Sequence, residues 1–62
     1  MPVVVIYGND GISIDDRRKI VEEVTDSVSK AYGLPKEAIT ILVEGLSKDC
    51  IGVAGGLLSE KE

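Results

Sequence analysis

Histidine, tryptophan and phenylalanine are absent from this chain, and cysteine occurs once. Without histidine there is no in-chain Ser-His or Cys-His dyad, and the commonest metal ligand is missing. A lone cysteine closes no intrachain disulfide, and no group of residues has metal-ligand spacing, so neither a metal nor another cofactor is expected. Basic residues are few: seven Lys plus Arg stand against eleven Asp plus Glu, a formal charge of −4 with a pI near 4.6. That is the wrong sign for phosphate backbones in the absence of a local basic patch, so nucleic acid is not an expected partner. Long apolar runs are also missing. The run nearest the start, Val3 to Tyr7, has no basic segment before it, and nothing approaches the length of about 18 residues that a membrane span needs. No membrane partner is expected, and the chain reads as soluble and cytoplasmic.

The 62 residues make one domain, 1–62. A chain this short buries only about 60% of the surface its unfolded form exposes. Small chains gain stability from disulfides, metals or oligomerisation. Composition removes the first two, which leaves association with other copies.

What is present has clear periodicity. Val3 to Tyr7 is β-branched and aromatic, and Gly8-Asn9-Asp10-Gly11 supplies turn chemistry after it. Ser13 followed three residues later by Asp16 resembles a capping box, and Asp15 and Asp16 put negative charge where a helix dipole favours it, so a helix starts near Ile14. Ile20, Val21, Val24, Val28 and Ala31 follow the spacing of one buried stripe, with charged residues over the remainder. Gly33, Leu34 and Pro35 are a stop signal, so the helix ends near Tyr32. Ala38 to Glu44 alternates as a second strand, with Ile39, Ile41 and Val43 on one face and Thr40, Leu42 and Glu44 on the other. The glycine-rich segment Ile51 to Leu58 suits a short hairpin or an arm lying against another backbone, and Ser59 to Glu62 reads as a solvated end.

The fold class is therefore α/β, two-layered: a βαβ unit with parallel strands plus a short C-terminal hairpin. The first strand is apolar on both faces and a single helix covers only one, so the other face marks an interface between copies.

Pro2 stands directly ahead of the first strand. Methionine is trimmed when the following side chain is small, and loss of Met1 would leave Pro2 as a free secondary amine at the edge of the core. A retained Met1 would make it an inert amide. The pattern of Pro2 opening a strand, Asp10-Gly11 before the helix, Leu34-Pro35 after it, strand Ile39 to Val43, and Gly52-Val53-Ala54-Gly55 in a hairpin resembles the 4-oxalocrotonate tautomerase family over essentially the whole chain. The resemblance implies a homo-oligomer, a hexamer built as a trimer of dimers. It also implies an isomerase in which the amino-terminal proline acts as general base and then acid on a small enol or 2-oxo acid. The best-known members bind a dicarboxylate-like substrate with two arginines. Those positions fall at Ile12 and Thr40 here, and the aromatic that closes the family's pocket falls at Ile51.

A base that becomes an acid works best with a pKa near ambient pH. A secondary amine titrates above the usual α-amine range of about 7.7 to 8.0, so desolvation or a positive neighbour must lower it. Val3, Val4 and Ile51 offer the first. Arg17, bordering the apolar stripe of the helix, is the candidate cation for the second and for an anionic substrate. It would have to reach across a subunit boundary, and equally it reads as a surface residue with its stem on the apolar edge. Cys50 lacks a histidine to activate it and reads as a turn or interface residue. Tyr7 and Tyr32 read as buried packing residues. Glu44 suits either a solvated strand end or the second base of a hydratase acting on an unsaturated acid. A third possibility is a non-catalytic oligomeric module that keeps the assembly without the substrate.

Overall fold

A computed structural model describes residues 2–61. The chain runs β1 (Val3–Asn9), α1 (Ile14–Tyr32), a 3-10 turn (Lys36–Ala38), β2 (Thr40–Leu46), a second 3-10 turn (Lys48–Cys50), β3 (Gly52–Val53), β4 (Gly56–Leu57) and a third 3-10 turn (Leu58–Glu60). The βαβ unit and the short hairpin are as the sequence implies, and β1 and β2 pair in parallel from Val3↔Thr40 to Asn9↔Leu46.

Both strands are displaced from their expected bounds. β1 continues past Tyr7 because Gly8 and Asn9 pair with Gly45 and Leu46 before the turn begins. β2 starts at Thr40, not Ala38, because the residues after Pro35 first close a 3-10 turn. In it the Ala38 and Ile39 N–H groups donate to the Pro35 and Lys36 carbonyls at 3.0 Å.

The helix obeys its signals. The Ser13 hydroxyl accepts the Asp16 N–H at 3.1 Å, satisfying one orphan donor of the first turn. Gly33 adopts φ 66°, and the Leu34 N–H returns to the Ser29 carbonyl at 3.1 Å, the six-to-one bond of a Schellman stop. Asp26 holds Lys30 at 3.1 Å and Lys36 at 3.7 Å, tying the helix to the turn that leads into β2. Of the apolar stripe, Ile20, Val24 and Val28 are half-buried, whereas Val21 and Ala31 are exposed.

Among the described residues no apolar side chain is buried in the single chain. Val4, Ile6, Ile41 and Val43 lie half-buried under α1, while the opposite face carries Val3 (54% exposed), Val5 (43%), Tyr7 (70%) and Leu42 (48%). Tyr7 and Tyr32 are therefore not the buried packing residues expected of them: Tyr7 stands on the sheet face that α1 does not cover, and Tyr32 is exposed at the last position of α1. The molecule measures 43 × 23 × 13 Å, with a radius of gyration of 14.6 Å. A compact chain of this length would have about 11 Å. Its accessible surface of 4710 Å² also exceeds the roughly 3,900 Å² of a compact monomer of 6.6 kDa.

The hairpin is a projecting arm. Its turn residues Ala54 and Gly55 both have positive φ (53° and 82°), the type I′ geometry that suits strand twist. The arm is anchored by the Leu58 N–H donating to the Ile51 carbonyl at 2.7 Å.

Candidate functional site

The parallel sheet has two chemically different ends. At its N-terminal end Pro2 is half-buried, and its carbonyl accepts the Thr40 N–H at 3.2 Å. That bond extends the ladder by one step and fixes the proline at the start of β1. Thr40 is exposed, on the same outer face as Val3 and Leu42 by strand alternation. Pro2 and Thr40 are thus adjacent. Removal of Met1 concerns a residue outside those described, as does the end of the chain at Glu62.

At the C-terminal end, Tyr7, Gly8, Leu46, Cys50, Ile51 and Gly52 line an open groove of about 340 Å³. None of these side chains is charged. The groove exists because Ser47 caps the turn after β2, its hydroxyl accepting the Asp49 N–H at 3.2 Å, so that the chain folds back and presents Ile51 beside the strand ends. Cys50 is exposed, with its sulfur 3.8 Å from the Ser47 hydroxyl. Glu44 stands exposed on the outer face opposite Tyr7 in the ladder.

Arg17 lies at this same end. Gly45 provides the room for it: a Cβ there would stand 3.4 Å from Arg17 Nη2 and 3.2 Å from the Asp10 Cα. Its Nε is enclosed without a hydrogen-bond partner. By alternation Gly45 faces the helix and Leu46 faces outward, so the guanidinium and the groove sit on opposite sides of the Gly8–Gly45 pair. Ile12 is half-buried in the loop between β1 and α1.

Of the residues picked out from sequence, the single chain therefore unites Pro2 with Thr40. It leaves Ile12, Arg17 and Ile51 about 20 Å away, the length of a seven-residue strand. No one chain assembles the whole set. Sequence reasoning missed Leu46, and with it the groove. Continuing the alternation of β2 two residues past Glu44 would have placed Leu46 on the outer face with Leu42, next to Tyr7.

Against known proteins, the family model described as "Tautomerase enzyme" matches residues 2–61. The 2-hydroxymuconate tautomerase of Bacillus subtilis is 36% identical over 62 residues, covering all of both chains. The crystal structure of YwhB, a homologue of 4-oxalocrotonate tautomerase, superposes with a TM-score of 0.93 at 34% identity, covering 98% of this chain and 100% of that one. DmpI from Archaeoglobus fulgidus superposes with a TM-score of 0.87 at 32% identity over 95% and 100% of the two chains.

Proposed function

Since this chain belongs to the tautomerase family, we propose that it interconverts enol and keto forms of a small unsaturated acid, with the Pro2 amine as base and then acid. The observation that carries this is the placement of Pro2, fixed by the Thr40 N–H at the rim of an uncovered apolar sheet in a chain that matches the family from residue 2. In the forward direction the amine takes the enol hydroxyl proton. The O–H electron pair becomes the new C=O bond, the displaced double-bond electrons attack the proton at carbon, and the ammonium returns to the amine. Nothing is oxidised, and one group with a pKa near ambient pH suffices.

The site is shared between copies. Both strands are sheet edges, and β1 carries no charge, proline or bulge from Val3 to Gly8, which leaves it open to pairing with another strand. Pairing β1 with its counterpart antiparallel about Val5 sets Pro2 of each chain against Gly8 of the other. The amine of one copy then faces the groove of its partner. Edge pairing leaves the outer faces with Val3, Val5 and Leu42 still uncovered, and packing three such dimers against one another covers them, giving a hexamer, while Tyr7 stays at the groove. Arg17 supplies the cation at the partner's groove, with only the backbone of two glycines between its guanidinium and the substrate.

The test is conversion of an enol acid by protein verified by mass to lack Met1. Activity that rises with pH through a single ionisation and falls by about 10²-fold or more in Pro2→Ala supports the assignment. Equal activity in Pro2→Ala would remove it.

A further inference from the structure

The chemistry of the groove selects among enol acids. Resting on the function proposed above, we infer that the substrate carries one carboxylate and an apolar remainder, an aryl or branched alkyl enol acid, and that a dicarboxylate is disfavoured. All the side chains lining the groove at the C-terminal end are uncharged, and Leu46, Ile51 and the ring of Tyr7 offer apolar surface. Its volume of about 340 Å³ is within the range of small-ligand pockets and accepts a ring.

The other cations of the chain do not line the groove. Arg18 is paired with Asp15 at 2.9 Å, Lys30 and Lys36 share Asp26, Lys19 is exposed on α1, and Lys61 lies against Gly56 in the arm. Lys48 is exposed in the turn before the groove and does not line it. Arg17 alone approaches from behind the Gly8–Gly45 pair. One carboxylate is matched by that charge. A second, entering a groove whose only side-chain donors are the neutral Tyr7 hydroxyl and Cys50 thiol, would be desolvated without a cationic partner and would also meet Glu44 at the margin, opposite Tyr7. At the other half of the site, Thr40 beside Pro2 offers a hydroxyl, which fits a neutral polar group and leaves a second anion uncompensated.

The experiment compares kcat/KM for phenylenolpyruvate, with one carboxylate and a ring, against 2-hydroxymuconate, with two carboxylates, on Met1-free protein with Pro2→Ala as the blank. A preference for phenylenolpyruvate, of about tenfold, is expected. Thr40→Arg, at an exposed position, and Ile51→Arg, in the groove itself, should each shift the ratio toward the dicarboxylate. Parity or a preference for the dicarboxylate in the wild type overturns the substrate class and leaves the tautomerase assignment standing. Failure to convert either compound faster than Pro2→Ala overturns both. A folded, assembled Thr40→Arg protein with an unchanged ratio also counts against the inference.

Discussion

Placing a carboxylate at Val5 should abolish assembly. Val5 lies near the middle of β1 on the face that no part of its own chain covers, and 43% of it remains exposed in the single chain. Completing its burial is worth on the order of 1 kcal/mol per copy, from a full-burial value of about 1.5–3 kcal/mol for valine. Val5→Asp forfeits that and forces an unpaired carboxylate into an apolar contact, at several kcal/mol per copy. Around a closed assembly the penalty recurs in every copy, far beyond the roughly 5–15 kcal/mol by which domains are stable. Because the described chain contains no buried apolar residue of its own, loss of assembly should also be loss of fold. Sedimentation velocity at micromolar concentration should show monomer, with helical circular dichroism falling alongside. Val5→Thr, which introduces no charge, should still assemble. A Val5→Asp protein that sediments like the wild type would show that this face is not the interface.

Three further outcomes are expected. Arg17→Ala should lower kcat/KM on a monocarboxylate by about tenfold, mainly through KM, a loss of about 1.4 kcal/mol of binding; unchanged kinetics would return Arg17 to a purely structural part. Gly45→Ala should lower the thermal midpoint, since a Cβ 3.2 Å from the Asp10 Cα and 3.4 Å from Arg17 Nη2 forces either backbone or guanidinium to move, at a cost of about 1 kcal/mol or more; an unchanged midpoint would mean that the loop yields freely. The hydrogen bond and charge of Lys30, aided by Lys36, hold the Asp26 carboxyl below its usual 3.8. With the folded value lowered, this pairing stabilises above the unfolded value and is lost as pH falls through the folded one. The difference in midpoint between wild type and Asp26→Asn should therefore be present at neutral pH and vanish in acid, and a difference that persists at pH 2 would contradict it.

The helix was legible to the residue. Ser13, Gly33 and Pro35 are local signals, and each acts through backbone groups within one turn of itself. The strand ends were less legible because they depend on pairing. Gly8 reads as a turn residue and the second strand as ending at Glu44, yet Gly8 and Gly45 pair as ladder residues once set opposite each other, while Ala38 is strand-like in pattern but is taken by the turn that Pro35 begins. The packing roles expected for Tyr7 and Tyr32 failed for a third reason. Both stand exposed in the single chain, and apolar character in a sequence does not say whether a residue's own chain will cover it. The candidate site shows the same division. Pro2 and Thr40 are neighbours through one hydrogen bond within the chain, whereas the groove lies at the other end of the sheet and, in the proposed assembly, would meet Pro2 across a subunit boundary.

That boundary is tested by combining two inactive proteins. Pro2→Ala keeps the groove and lacks the base, and Ile51→Asp keeps the base and spoils the groove. Co-refolded in equal amounts, they should recover about a quarter of wild-type activity, since half the pairs are mixed and each mixed pair has one intact site of two. A mixture no more active than its components, or an Ile51→Asp protein as active as the wild type, would contradict a site built from Pro2 of one copy and the groove of another.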